Sequence, residues 1–191
     1  MAHNLRFEFV GNNVAVDFIN TEIAIRGKLL DLLQKEVDLI GWAQEAGFNI
    51  KPQLSPDDLS TALSLRWALK EVFQSRIDRA PAKRNALAII NQHLANHGTH
   101  TVLQINKTDG YYELVPDETA STISGLLANL AYEAANLLAS SQAERLKRCG
   151  NADCVLIFVD ISRGQKRRWC SMDTCGNRVK AAKYYRSHIS H

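Results

Sequence analysis

The chain has 191 residues, 46% hydrophobic and 23% charged, with a formal net charge of +3 at pH 7. These values fit a soluble globular protein with one good core and a small accessory module, and no apolar run is long enough to cross a bilayer as a helix. The charge is uneven: from Arg145 onward eleven Lys and Arg stand against three Asp and Glu, a balance of +8, whereas residues 1–144 carry −5, so the two parts imply different partners.

Residues 5–10 alternate, Gly11-Asn12-Asn13 is a turn and Val14-Ala15-Val16 resumes, so a short hairpin is expected to open the chain. From Asp17 the pattern becomes helical. Leu39, Ile40, Trp42 and Ala43 predict a short helix over 37–46 stopped by Gly47, and the stretch 52–56, bounded by two prolines, is a break. Ser55-Pro56-Asp57-Asp58 is a helix start with Pro at the first helical position, for a helix reaching about Arg79. Its apolar stripe contains Leu59, Ala62, Leu63, Leu69, Phe73 and Ile77, and Arg66 falls near the middle of it. Either the arginine stem snorkels to the edge of the stripe, or the guanidinium has an anionic partner. Asp17, in Asp17-Phe18-Ile19-Asn20-Thr21, or a small anionic effector beside it would serve, which makes Asp17, Asn20 and Arg66 candidate ligand-binding residues.

A helix from Pro81 to about Asn96, stopped by Gly98, ends in His93, His97 and His100. A metal site there is set aside, since cationic residues are favoured in the last turn of a helix and no carboxylate completes the set. Residues 101–105 and 111–115 flank an Asp-Gly turn and predict a second hairpin. The longest predicted helix covers 117–141, where Ile123, Leu126, Leu127, Leu130, Ala131, Ala134, Leu137 and Leu138 repeat at three and four. So short a run reads as a core helix before a coiled-coil seam. Ser140-Ser141-Gln142 ends it, and the domain boundary is expected there, giving units 1–143 and 144–191, although 145–148 can form the first strand of the second unit.

All four cysteines lie in that second unit, as two C-x4-C pairs: Cys149 with Cys154, and Cys170 with Cys175. Such spacing allows four thiolates to converge on one Zn²⁺. Two disulfides or plain core thiols are the competing readings. The N-terminus lacks the apolar run of a secretory signal, so a reducing cytoplasmic setting is expected, and core cysteines have no reason to pair at equal spacing. Residues 155–160 are apolar and β-prone, 162–164 signal a turn, and the basic stretch 166–169 returns toward the second pair, which predicts a hairpin. Residues 177–186 favour a helix, with Asp173 or Thr174 available as its cap. Knuckle, hairpin and ligand-bearing helix is the treble-clef order. The expected fold class is therefore α+β: a mainly helical N-terminal domain with short β-hairpins, followed by a treble-clef-like zinc finger. A four-cysteine zinc is closed and structural. With no phosphate-cradling glycine loop, Gly-x-Ser-x-Gly elbow or His-Glu-x-x-His helix in the sequence, no catalytic residue is assigned and no enzyme is expected.

Cys149, Cys154, Phe158, Asp160, Ser162, Arg163, Arg167, Arg168, Trp169, Cys170, Ser171, Met172, Cys175, Gly176, Asn177, Arg178 and Lys180 together resemble the signature of the CGNR zinc-finger family. Members of that family carry the finger behind an N-terminal domain called ABATE and are regarded as stress-induced transcription regulators. Val16-Asp17-Phe18-Ile19-Asn20-Thr21 is similar to a motif of that domain, with Val where the family prefers Leu. The resemblance implies a regulator whose C-terminal finger binds one structural zinc.

The basic residues point to a partner. On the last predicted helix Lys180, Lys183 and Arg186 span an arc of about 120°, while Ala181, Ala182, Tyr184 and Tyr185 take the other side and are expected to pack on the hairpin. Arg163, Lys166, Arg167 and Arg168 form a second cluster. The competing reading is that Arg167, Arg168 and Arg178 hydrogen-bond the thiolates and backbone of the negatively charged zinc site, and for Arg178 that role and base contact are weighed equally. The expected function is that of a cytoplasmic DNA-binding transcription regulator whose N-terminal domain senses an effector or oligomerises. The alternative is an interaction module whose basic finger docks an acidic protein.

Overall fold

A computed structural model describes residues 6–25, 27–51, 55–97, 101–106, 108, 110–116 and 121–188. Pro52, Gly98, His100, Asp109 of the expected Asp-Gly turn, and the 117–120 start of the longest predicted helix lie outside the described residues.

The expected opening hairpin is not formed. Asn13 is extended, at φ −159, and its side chain accepts from the amides of Ala15 and Val16. That cap starts a helix, α1 (Val14–Ile19), where alternation suggested a strand. Ala15, Val16, Phe18 and Ile19 are all buried, and this packing overrides the β preference of the valines. An unanticipated hairpin follows, β1 (Glu22–Ile25) and β2 (Lys28–Asp31), paired antiparallel with Ile23 opposite Leu30. Gly27 turns it at φ +77, a conformation that costs glycine nothing.

Helix α2 (Glu36–Glu45) forms where expected, and Asp38 Oδ2 accepts from the amides of Gln34 and Lys35 at its start. Helix α3 (Asp58–Asp78) begins with Asp58 accepting from Ser55 N at 2.7 Å and ends at left-handed Arg79. Helix α4 (Arg84–Ala95) starts three residues after Pro81. The hairpin β3 (Thr101–Ile105) and β4 (Tyr112–Pro116) is antiparallel as expected. Helix α5 (Ile123–Ala139) is capped by Thr122, whose hydroxyl accepts from Gly125 N.

Helix α5 packs against α1, α3 and α4, and their apolar stripes meet around Phe18, Leu65, Leu69, Phe73, Leu126, Leu127 and Leu130. Trp42 of α2 closes this core, its ring 4.9 Å from that of Phe18.

Arg66 is buried in this core, 7% exposed, and it is not paired with Asp17. Its Nη1 donates to Thr21 Oγ1 at 2.8 Å and to Asp31 Oδ1 at 2.7 Å, and its Nη2 donates to Asp31 Oδ2. The partner comes from the end of β2, which the unforeseen hairpin folds back to α3. Burial pushes the Asp31 carboxyl up, but the Arg66 fork, the Leu33 amide and the Lys70 charge together outweigh it and hold the group below its ordinary range.

The C-terminal part adds β5 (Leu146–Arg148) and β6 (Ile157–Val159), paired antiparallel, and helix α6 (Asn177–His188). Strand β6 therefore pairs with residues 146–148 and not with the basic stretch 166–169. Successive β6 side chains point to opposite faces. Ile157 and Val159 join the helical core together with Leu146, while Phe158, with Leu156, joins a second cluster around the cysteines. The strand is buried on both faces and serves both cores.

Candidate metal centre

The knuckle carrying the first two cysteines is the loop between β5 and β6. Cys149 N donates to Leu156 O at 2.9 Å and Cys154 N to Asn151 O at 2.9 Å, which closes the loop with both thiols inward. Gly150 passes under Arg168, its amide 2.7 Å from that carbonyl oxygen. A Cβ there would stand 2.9 Å from the same oxygen, so only glycine fits. Of the second pair, Cys175 sits on a wide turn of π type over Met172–Gly176 that leads into α6, and Cys170 lies just before that turn. Ser171 caps that turn, accepting from Thr174 N.

The four sulfurs converge, all within 4.8 Å of one another. Cys154 and Cys170 sulfurs are 3.8 Å apart and those of Cys170 and Cys175 3.6 Å. A tetrahedral zinc with Zn–S bonds of about 2.3 Å needs sulfur–sulfur edges of about 3.8 Å. All four cysteines are free, which removes the disulfide reading. The residues fit one structural zinc with no coordination position left for water.

The surroundings suit a thiolate-rich site. Cys170 N donates to Cys149 Sγ at 3.4 Å, and Asn151 Nδ2 reaches Cys175 Sγ at 3.5 Å. Hydrogen bonds from Cys154 and then Cys170 push the Cys149 thiol down to about 2, while bonding to Cys149 pushes Cys154 up to about 12 and Cys170 higher still. A divalent cation held by these cysteines would take the place of their thiol protons.

The finger is joined to the helical domain through α1. Asn20 acts as a surrogate strand: its Nδ2 donates to Ile157 O at 2.9 Å and its Oδ1 accepts from Ile157 N at 3.1 Å. Asn12 Nδ2 donates to Val159 O at 2.8 Å and Val159 N to Gly11 O at 2.9 Å. Asp17 secures the loop from beneath, accepting from Gly11 N at 2.7 Å. Burial raises the Asp17 carboxyl to about 6, against the lowering pull of the Gly11 and Val10 amides and of Arg167. Asp17, Asn20 and Arg66 are thus each engaged inside the protein, and Asp17 and Asn20 hold the finger while Arg66 holds the β1–β2 hairpin.

Asp160 organises the turn after β6. Its Oδ1 accepts from Ser162 N and Oγ, and its Oδ2 from Lys147 Nζ at 2.7 Å and Arg167 N at 3.0 Å. Burial pushes its carboxyl up, but the Lys147 ammonium and Ser162 outweigh this and hold it at about 2. Arg167 is then drawn inward as a strut. Its guanidinium donates to the carbonyls of Val10, Trp169 and Cys170 and lies 4.3 Å from the Phe158 ring centre. This corrects its placement on the outer basic surface. Asn12, Lys147 and Asn151 had no sequence signal beyond their neighbourhood to the cysteines, whereas backbone hydrogen bonding by Arg167 at the zinc site was the alternative reading of its charge.

Arg163, Lys166, Arg168, Arg178, Lys180, Lys183 and Arg186 are all exposed. Arg168 lies over the Trp169 ring, and Arg186 Nε donates to Ala182 O. Arg178 makes no hydrogen bond to a cysteine among the described residues; Asn151 and the Cys170 amide serve that role. Helix α6 buries none of its residues, so the expected packing of Ala181, Ala182, Tyr184 and Tyr185 on the hairpin does not occur. It touches the body through the π turn at its base.

Two family models match the chain. The ABATE model, described as "Putative stress-induced transcription regulator", covers residues 12–141, and the CGNR zinc finger model covers residues 145–188. No curated protein matches.

Proposed function

We propose, of a chain that belongs to the ABATE family and carries a CGNR zinc finger at its C-terminal end, that it is a DNA-binding transcription regulator of the cytoplasm. The observation that carries the reading is α6: twelve residues anchored at one end by the metal site, none buried, with Lys180, Lys183 and Arg186 within an arc of about 120°. Arg163, Lys166 and Arg168 extend the positive field beside its base, so several phosphates can be neutralised together. Arg178, exposed near the start of α6, is the candidate for base contact. The units 1–143 and 144–191 divide the work. The helical unit is the regulatory half, with the cavity of about 240 Å³ lined by Glu22, Arg66, Trp67, Lys70, Glu71 and Gln74 as the place for a small effector. Its route to the finger is α1. The matched families are regulator and zinc-finger types, which supports a non-enzymatic role, and no helix among the described residues is long and apolar enough to cross a membrane.

The test is binding to duplex DNA across a salt series. Each phosphate contact contributes about 0.9 to the log–log slope, so changing Lys180, Lys183 and Arg186 together to Gln is expected to weaken binding and flatten the slope by about 2.7 while zinc content is unchanged. No affinity at low salt, or a triple variant that binds as wild type does, rejects the reading and leaves an acidic protein as the partner.

A further inference from the structure

Residues 6–10 form no helix or strand, and among the described residues no backbone–backbone hydrogen bond holds them. Side chains do, and they reach different parts of the molecule. Phe7 packs against the helical core, and Phe9 stacks on Trp42 of α2 with ring centroids 6.3 Å apart and planes 23° apart. Val10 packs against the cluster of cysteines. The segment is a strap that runs from one core to the other.

The end of the strap at Gly11 is pinned to α1 and β6. The Gly11 amide donates to Asp17 and its carbonyl accepts from Val159 N. A Cβ there would stand 2.7 Å from Val16 Cγ1 and 2.8 Å from Asp17 Oδ1. Asp17 also draws on the Val10 amide. The carbonyl of Val10, by contrast, is held from the finger. Arg167 Nη2 donates to Val10 O at 2.9 Å and also to Cys170 O, and its Nε donates to Trp169 O at 2.9 Å. One guanidinium therefore fastens the strap to the peptide that carries the third cysteine. Beyond Val10 the strap has only aromatic contacts, and Phe9 is 41% exposed. A segment with few buried contacts and no backbone ladder sits at the low end of local stability, so the latch decides whether it stays down.

We propose that Arg167 latches residues 6–10 over Trp42, and that the latch holds only while the cysteine cluster is assembled, so that the metal state of the finger is passed to α2. Arg167 is a positioning residue in this device, because its three carbonyl acceptors lie on the strap and on the Trp169–Cys170 segment. The proposal rests on the zinc site and is independent of DNA binding.

Backbone ¹⁵N relaxation and the Trp42 indole resonance of the full chain test it. With zinc bound, order parameters over 7–10 are expected to be about 0.85, and chelation is expected to lower them below about 0.6 and shift the Trp42 signal. Residues 11–19 are expected to stay rigid. Zinc-loaded Arg167→Gln is expected to show the same release with zinc content unchanged. Phe9→Ala approaches from the far end, outside the cysteine cluster. Coupling between two sites is reciprocal, so loosening the strap there is expected to weaken zinc binding about fivefold in competition with a chelator. A strap that stays rigid after chelation, or in an Arg167→Gln chain that holds zinc, overturns the proposal. So does an unchanged zinc affinity in Phe9→Ala, an arm that stands whether or not the Arg167 variant keeps its metal.

Discussion

The two ends of the finger are held in different ways. Strands β5 and β6 are sunk into the helical domain: Ile157 and Val159 share its core, and Asn20 and Asn12 bond the backbone of β6. Helix α6 shares no core and is fastened through Cys170, Cys175 and the turn between them. Metal is therefore the tether of α6 but a secondary support for β5 and β6. A small module need not be one cooperative unit when one of its strands belongs equally to a neighbouring core.

The largest effect expected from this contrast is on metal removal. Structural zinc contributes about 10–16 kcal/mol in small fingers. Hydrogen exchange after chelation is expected to show loss of protection over 166–188 while β6 keeps its protection with α1 and α5. Loss of protection across 146–159 at the same rate as in α6 would show instead that the finger melts as one body.

The reverse break is Asn20→Ala, which leaves Ile157 N and O without their side-chain partners in a buried site. Each unsatisfied buried group costs about 1–3 kcal/mol, so a loss of about 2–6 kcal/mol is expected in denaturant unfolding, with zinc still bound. A change under about 0.5 kcal/mol would mean that packing alone holds β6.

The smallest is a pH effect through Asp17. Its folded pKa of about 6 lies above the ordinary 3.8, so the folded state binds the proton more tightly than the unfolded one. Stability from this group is fully present below pH 3.8 and is lost as pH rises through 6, about 3 kcal/mol in all at roughly 1.4 kcal/mol per unit. Asp17→Asn is expected to remove that decline, seen as the difference between the two unfolding profiles from pH 4 to 7. Parallel profiles would show that Asp17 does not titrate in that window.

Much of this was legible. Ser55-Pro56-Asp57-Asp58 and Gly47 marked helix ends to within two residues, α3 starting at Asp58 and not at Pro56, because capping and chain reversal are settled within a few residues. Arg66 stood out because a charge in an apolar stripe needs a partner, yet its partner was misassigned: β1 and β2 went unread, so Asp31 was not in view. Val14-Ala15-Val16 misled because valines favour strands unless a cap and a core say otherwise.

By itself the sequence determined where the metal sits and what kind it is, since four thiols at paired spacing carry their own chemistry. It also determined the basic character of the C-terminal part, because charge is a property of composition. Only the tertiary structure decided which charges are available. Arg163 and Arg167 are four residues apart and alike in type, but one is exposed and the other spans to Val10, 157 positions away. It also decided that Tyr184 and Tyr185 remain uncovered. Whether a side chain is strut, contact or free surface depends on groups distant in the chain, and helical or strand periodicity, which registers only near neighbours, carries no record of them.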